Sequence, residues 1–304
     1  MPPSLIAAAL AVVLAGSPGL SGTTADDSLR ARIERRIAAE AGAVVGVAFR
    51  DLGAADSLLV AADSVFHAAS TMKVPVMIEL VRQSEAGSAH LDQRVLLVNQ
   101  FGSIVDGSSY ALDPADDEDV PLYAEVGRRR TVRELMERMI TRSSNLATNA
   151  VIALVGPARV DSTARRLGAT RTRVLRGVED QKAFDRGLNN VTTAADLAAM
   201  MTAIALDRAA SPSGCAFMRD VLARQELNGE IPAGLPRGTR VAHKTGQIRG
   251  VLHDAAIVYP SDGTPYVLVV LTRGIAEEEA ARALIADVSR LVYEHATRRA
   301  SGRR

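Results

Sequence analysis

Leu29, Ile33 and Ile37 recur at helical spacing and the run stops at Gly42, which predicts an amphipathic helix over 28–41. Two apolar runs follow, VVGVAF (44–49) and SLLVA (57–61), joined through Gly53, and they read as a β-hairpin. Near the other end, HDAAIVYP and PYVLVVLTRG flank the turn pair Asp262-Gly263, and Leu284, Val288 and Leu291 mark one face of a helix over 277–295. Between these ends the spacing predicts helices over 71–87, 131–142, 145–155, 193–205 and 213–225, then a strand at VAHKTGQ (241–247). The pattern is an all-helical region inserted into a sheet domain built from both termini, and the cleft between the two is the natural place for a site.

Composition narrows the partner. A chain of 304 residues with 47% hydrophobic content has ample core, while a net charge of +1 and 3% aromatic residues argue against a nucleic-acid surface. A small molecule or peptide is the expected partner. The first 25 residues carry no charged side chain and run apolar from Leu5 to Leu14, which reads as a secretory signal peptide, with an uncleaved anchor as the lesser alternative. That run falls short of the roughly 20 residues needed to span a bilayer. The mature chain is therefore expected to be exported, periplasmic or secreted, with no membrane segment, and monomeric by default. Cys215 is the only cysteine, which leaves no disulfide within the chain. The acidic stretch DPADDEDV (113–120) reads as a solvated loop between helices.

Lysine usage is the first chemical signal. Only Lys73, Lys182 and Lys244 interrupt a chain whose other cations are arginines. A guanidinium stays protonated, whereas an ammonium can act as a base once burial or a neighbouring cation depresses its pKa. Lys73 lies three residues after Ser70, at the start of a predicted helix, and Lys244 is the second cation that could depress it. Pro75 sits too deep for a helix starting at Ser70, so a local distortion is expected there. TRSSNLATN places Ser143, Ser144 and Asn145 at a helix junction, and VAHKTGQ places Lys244, Thr245 and Gly246 on a strand, with Gly246 allowing close approach. His67, His243 and His253 show no clustered zinc spacing, so no metal and no cofactor are expected.

Ser-x-x-Lys, then Ser-x-Asn, then Lys-Thr-Gly, in this order and spacing, resembles the active-serine penicillin-recognising superfamily and class A β-lactamases in particular. The resemblance spans about 42–290. It implies an α+β fold, a three-layer α/β/α sandwich around an antiparallel sheet, with an inserted all-α domain. The expected divisions are a signal peptide over 1–25, a sheet domain over 26–69 and 213–300, and the helical domain over 70–212. By resemblance Ser70 is the acylated nucleophile, Lys73 its base or proton relay, and Ser143 the proton shuttle to the leaving nitrogen. Asn145 binds the substrate amide, Lys244 and Thr245 hold its carboxylate, Gly246 lies against the substrate, and the backbone N–H groups of Ser70 and Gln247 form the oxyanion hole.

The match loosens in two places. Class A enzymes usually carry Ser-Asp-Asn where this chain has Ser143-Ser144-Asn145, and the Glu-x-x-x-Asn loop that activates the deacylating water has no counterpart in RGVEDQKAFDRGLNNVTT. Counting back from VTTAADLA, Glu179 falls nearest the required place, with Asp180 and Asp185 as rivals, and Asn149 matches the residue that orients the loop glutamate. The reading is an exported serine β-lactamase acting on a small-molecule β-lactam. The alternatives are a D-alanyl-D-alanine peptidase or esterase on the same scaffold, and a non-catalytic sensor of lactam or cell-wall fragments.

Overall fold

The computed structural model of the chain describes residues 28–301. The signal peptide read over 1–25 lies outside the described residues, and among them no helix is long and apolar enough to cross a membrane. Strands β1 (Val44–Asp51), β2 (Ser57–Val60), β3 (Arg240–Ile248), β4 (Val251–Tyr259) and β5 (Tyr266–Arg273) form one antiparallel sheet in the order β2-β1-β5-β4-β3. Val47 of β1 faces Val270 of β5, so the two ends of the chain close a single sheet across the whole helical segment. β5 is buried on both faces through Thr272, which is why its sequence is an unbroken apolar run without alternation.

Helices α1 (Leu29–Ala38) and α9 (Glu278–Ser301) cover one face of the sheet, where Ile33, Leu284 and Val288 join Phe49, Tyr266 and Leu268 in one core. The other face meets the helical region: α2 (Lys73–Glu85), α3 (Val132–Thr141), α4 (Asn145–Val155), α5 (Pro157–Arg166), α6 (Gln181–Asp185), α7 (Ala194–Ala205) and α8 (Pro212–Leu222). α7 lies against β1, β4 and β5, and α2 is buried from Lys73 through Val81, packed among α4, α5 and α8. A helix buried all round is apolar nearly all round, and in VPVMIELV the one exception, Glu79, is buried with hydrogen bonds from Thr163 Oγ1 at 2.6 Å and Gln83 Nε2 at 2.7 Å.

Three details differ from the pattern read along the chain. Ser70 lies on a 3-10 turn, Ala69–Met72, ahead of α2, so Pro75 occupies the third position of the α-helix, where a backbone N–H has no helical partner to lose. The distortion expected at Pro75 takes this form. α5 escaped the periodicity because it starts two residues after α4: Gly156, at φ +82°, ends one helix, and Pro157 opens the next. α8 begins at the boundary expected near 213, but Cys215, Met218, Val221 and Leu222 join the helical core, so this helix packs with α2, α3 and α7 as well as against β3.

The 3-10 turn Ile231–Gly234 seats the cleft side of the sheet domain on α9, with Ser289 Oγ donating to Ile231 O at 2.8 Å. A Cβ on Gly234 would lie 2.0 Å from Ala286 O, a collision with rigid helix backbone. Gly234→Ala is expected to cost roughly 2–4 kcal/mol, read as a lower midpoint in denaturant. An unchanged midpoint would mean that the turn yields freely.

Candidate active site

Three separate parts of the chain converge at Ser70. The turn that carries it begins at Ala69, held at φ +44°, and His67 Nδ1 accepts the Ala69 N–H at 3.0 Å. Behind it His253, kept neutral by burial with a pKa lowered to about 4, donates from Nε2 to His67 O at 2.9 Å. These two histidines therefore brace the turn. β3 is the edge strand of the sheet and lies flush against it: a Cβ on Gly246 would come within 3.0 Å of Thr71 N and 3.2 Å of Ser70 N. The same strand delivers Lys244, Thr245 and Gln247.

Lys73 and Lys244 are both fully buried. Ser143 Oγ lies between them, 3.2 Å from Lys73 Nζ and 3.0 Å from Lys244 Nζ. Lys73 also donates to Ser143 O and, at 3.0 Å, to Asn145 Oδ1, while Lys244 donates to Thr245 O at 3.0 Å. Burial, reinforced by the Lys244 ammonium, pushes Lys73 well below the usual lysine range. Burial likewise lowers Lys244 to about 7, against the opposing pull of Asp254 and Glu230. The structure directs Lys73 Nζ to Ser143 and Asn145, and no hydrogen bond joins it to Ser70.

Ser143 itself is held at φ +59°, immediately before α4. Ser144 is the N-cap of that helix, its Oγ accepting from Ala147 N at 3.3 Å. Serine and aspartate cap comparably, and here a carboxylate arrives from elsewhere: Asp117 Oδ2 accepts from Asn145 N at 2.9 Å and Leu146 N at 3.0 Å. The acidic stretch 113–120 is therefore only partly a solvated loop. Asp117 and Asp119 are buried, and both oxygens of the second accept from Arg138 Nη1, at 2.8 and 2.7 Å.

The loop after α5 closes the remaining side. Glu179, at φ +62°, accepts a hydrogen bond from Asn145 Nδ2 at 2.7 Å, and burial, with help from Asp117 and Asp116, raises its pKa to about 6. Asn149 grips the backbone of Val178 through both amide atoms, at 2.6 and 3.1 Å, and so holds the loop one residue before the glutamate without touching its carboxylate. Asp180 accepts from Ser103 Oγ, Ile104 N and Ala183 N, and Asp185 accepts from Gln181, so both rivals are engaged in local structure. Two clefts, of about 310 and 540 Å³, share Ser70, Asn145 and Gln247. Glu179 lines the first, and Ser143 and Thr245 line the second. A larger hollow of about 680 Å³ beside β1, β2 and α7 contains none of these residues, so chemistry and not size locates the site.

Residues 28–296 match the model of the β-lactamase enzyme family. The chain belongs to this family. It is 30% identical to the β-lactamase Toho-2 of Escherichia coli over 95% of either chain. Among solved structures it is similar to an ancestral class A β-lactamase, with 26% identity and a TM-score of 0.75 over 88% of this chain and all of that one. PBP-A is similar too, at 28% identity and a TM-score of 0.75 over 88% and 95% of the two chains; a point mutant of PBP-A has been solved as an acyl-enzyme complex with penicillin G. Within this β-lactamase, motif reading missed Asp117 and Arg282. The second lines the 540 Å³ cleft on α9 and pairs with Glu230.

The clamp on the loop is tight: a Cβ on Gly177 would fall 2.3 Å from Asn149 Oδ1. Gly177→Ala is expected to displace Glu179 and slow decay of the benzylpenicillin adduct roughly a hundredfold, followed by intact mass. Decay at the wild-type rate would show that this clamp does not govern the glutamate.

Proposed function

We propose that this chain is an exported class A serine β-lactamase in which Ser70 is acylated and Glu179 directs the water that frees it. Ser70 Oγ attacks the lactam carbonyl and yields its proton to neutral Lys73. The carbonyl oxygen gains negative charge facing the backbone N–H groups of Ser70 and Gln247. As the C–N bond breaks, Ser143 passes a proton to the ring nitrogen, and its place between two depressed lysines suits a relay that must accept and give. Water, deprotonated by Glu179, then attacks the acyl ester, and Ser70 leaves with a proton. Lys244 and Thr245 receive the ring carboxylate, and Asn145 the side-chain amide.

The observation that carries the reading is Glu179, which shares the cleft wall with Ser70, is fixed by Asn145, and is tuned to about 6 by burial. Likeness to PBP-A keeps the D-alanyl-D-alanine peptidase as the second reading; faster hydrolysis of a D-Ala-D-Ala peptide than of any lactam would favour it.

Ser70→Ala is expected to form no adduct with benzylpenicillin, and Glu179→Gln to accumulate one, with turnover lower by roughly a thousandfold. Continued rapid turnover in the second variant would remove Glu179 from the mechanism. Since Glu179 acts as the anion, activity should fall as pH drops through about 6 and hold above it. An acid limb at the ordinary carboxylate value, absent the higher one, would assign the base elsewhere.

A further inference from the structure

The 540 Å³ cleft is acidic beyond anything the hydrolytic steps require. Its lining includes four carboxylates, Asp116, Glu118, Glu226 and Glu230, against one guanidinium, Arg282, in a chain whose net charge is only +1. Arg282 is already engaged by Glu230 and Glu278, and Arg142, just outside, by Glu226 at 3.0 Å and Asp119 at 3.3 Å. Asp116 and Glu118 are exposed and make no ion pair among the described residues. Glu230 supplies an independent sign: it is 2% exposed, yet its Oε2 has no hydrogen-bond partner among the described residues. Buried carboxylate oxygens are ordinarily satisfied, because an unmade bond forfeits the desolvation cost of the group. Burial and the neighbouring Asp254 push Glu230 up to about 7, against the Arg282 guanidinium that pairs with its other oxygen.

Thr245 and Ser143, the groups for the ring carboxylate and the ring nitrogen, open on this cleft, so substituents next to that carboxylate face the acids. We infer that Asp116, Glu118, Glu226 and Glu230 select β-lactams bearing a cationic substituent beside the ring carboxylate, a zwitterionic end that matches Lys244 with its carboxylate and the acids with its cation. The inference rests on the hydrolase reading above.

The test is a matched pair, cephalothin and cephaloridine, which share one acyl side chain and differ at the C3 methylene, acetoxy in one and pyridinium in the other. The purified protein should show kcat/KM higher for cephaloridine by roughly tenfold, since a charged cleft concentrates a complementary ligand. The preference should shrink in 0.5 M salt and in Glu118→Gln, an exposed substitution that leaves folding intact. Glu230→Gln should reduce it further, with the ratio of the two substrates separating charge selection from general damage. Equal values, or preference for cephalothin, would overturn the inference while leaving the hydrolase reading in place. If both substrates acylate Ser70 without turnover, relative acylation rates read the same preference. Absence of any adduct would overturn the hydrolase reading, and the selectivity with it.

Discussion

Two ammonium groups buried against one hydroxyl impose the constraint from which this site is built. Lys73 and Lys244 come from opposite halves of the fold and share Ser143 Oγ. Burying either cation alone costs several kcal/mol, and burying both adds their repulsion. The arrangement persists because proton loss relieves the repulsion, and because Ser143 O, Thr245 O and Asn145 Oδ1 accept the remaining N–H bonds. An arginine at either place would keep its charge, so a chain that otherwise favours arginine uses lysine here. The turn at Ser70, the edge strand β3 and the start of α4 must therefore meet at one point.

Asn145 extends that point into the loop. Its oxygen accepts from Lys73 and its nitrogen donates to Glu179, so one side chain fixes both groups to which the proposed reaction assigns its proton transfers. The same physical cause moves them in opposite directions: burial lowers the lysine and raises the carboxylate. Asp117, under the first turn of α4, steadies the junction by accepting two backbone N–H groups that no helical carbonyl can reach.

Long, strongly periodic segments were legible in the sequence. The outer hairpins, the inserted helices and the three motifs follow from apolar spacing and from residue types whose chemistry is distinctive. The parts that stayed hidden depend on contacts across the fold. Nothing local distinguishes Asp117, which caps a helix begun 28 residues later, from Glu118, which faces the cleft. The α4–α5 junction is too short to interrupt an apolar pattern, and the 3-10 turn at Ser70 becomes predictable only through Pro75. Glu179 was legible only as one of three loop carboxylates, and its separation from Asp180 and Asp185 required the fold, which sets Glu179 against Asn145 in the cleft wall and ties the other two into local structure.

Five non-glycine residues among those described have left-handed backbone, and three of them, Ala69, Ser143 and Glu179, border the reaction centre. Each holds the chain about 1–3 kcal/mol above its relaxed conformation. That strain draws on the narrow margin by which any domain of this kind stays folded. Sequence drift in this lineage is therefore tolerated only as far as the apolar layers on either side of the sheet keep a surplus. A variant that gains a new substrate by loosening the loop relaxes part of this strain, and so can retain its fold while losing the alignment that makes the chemistry fast.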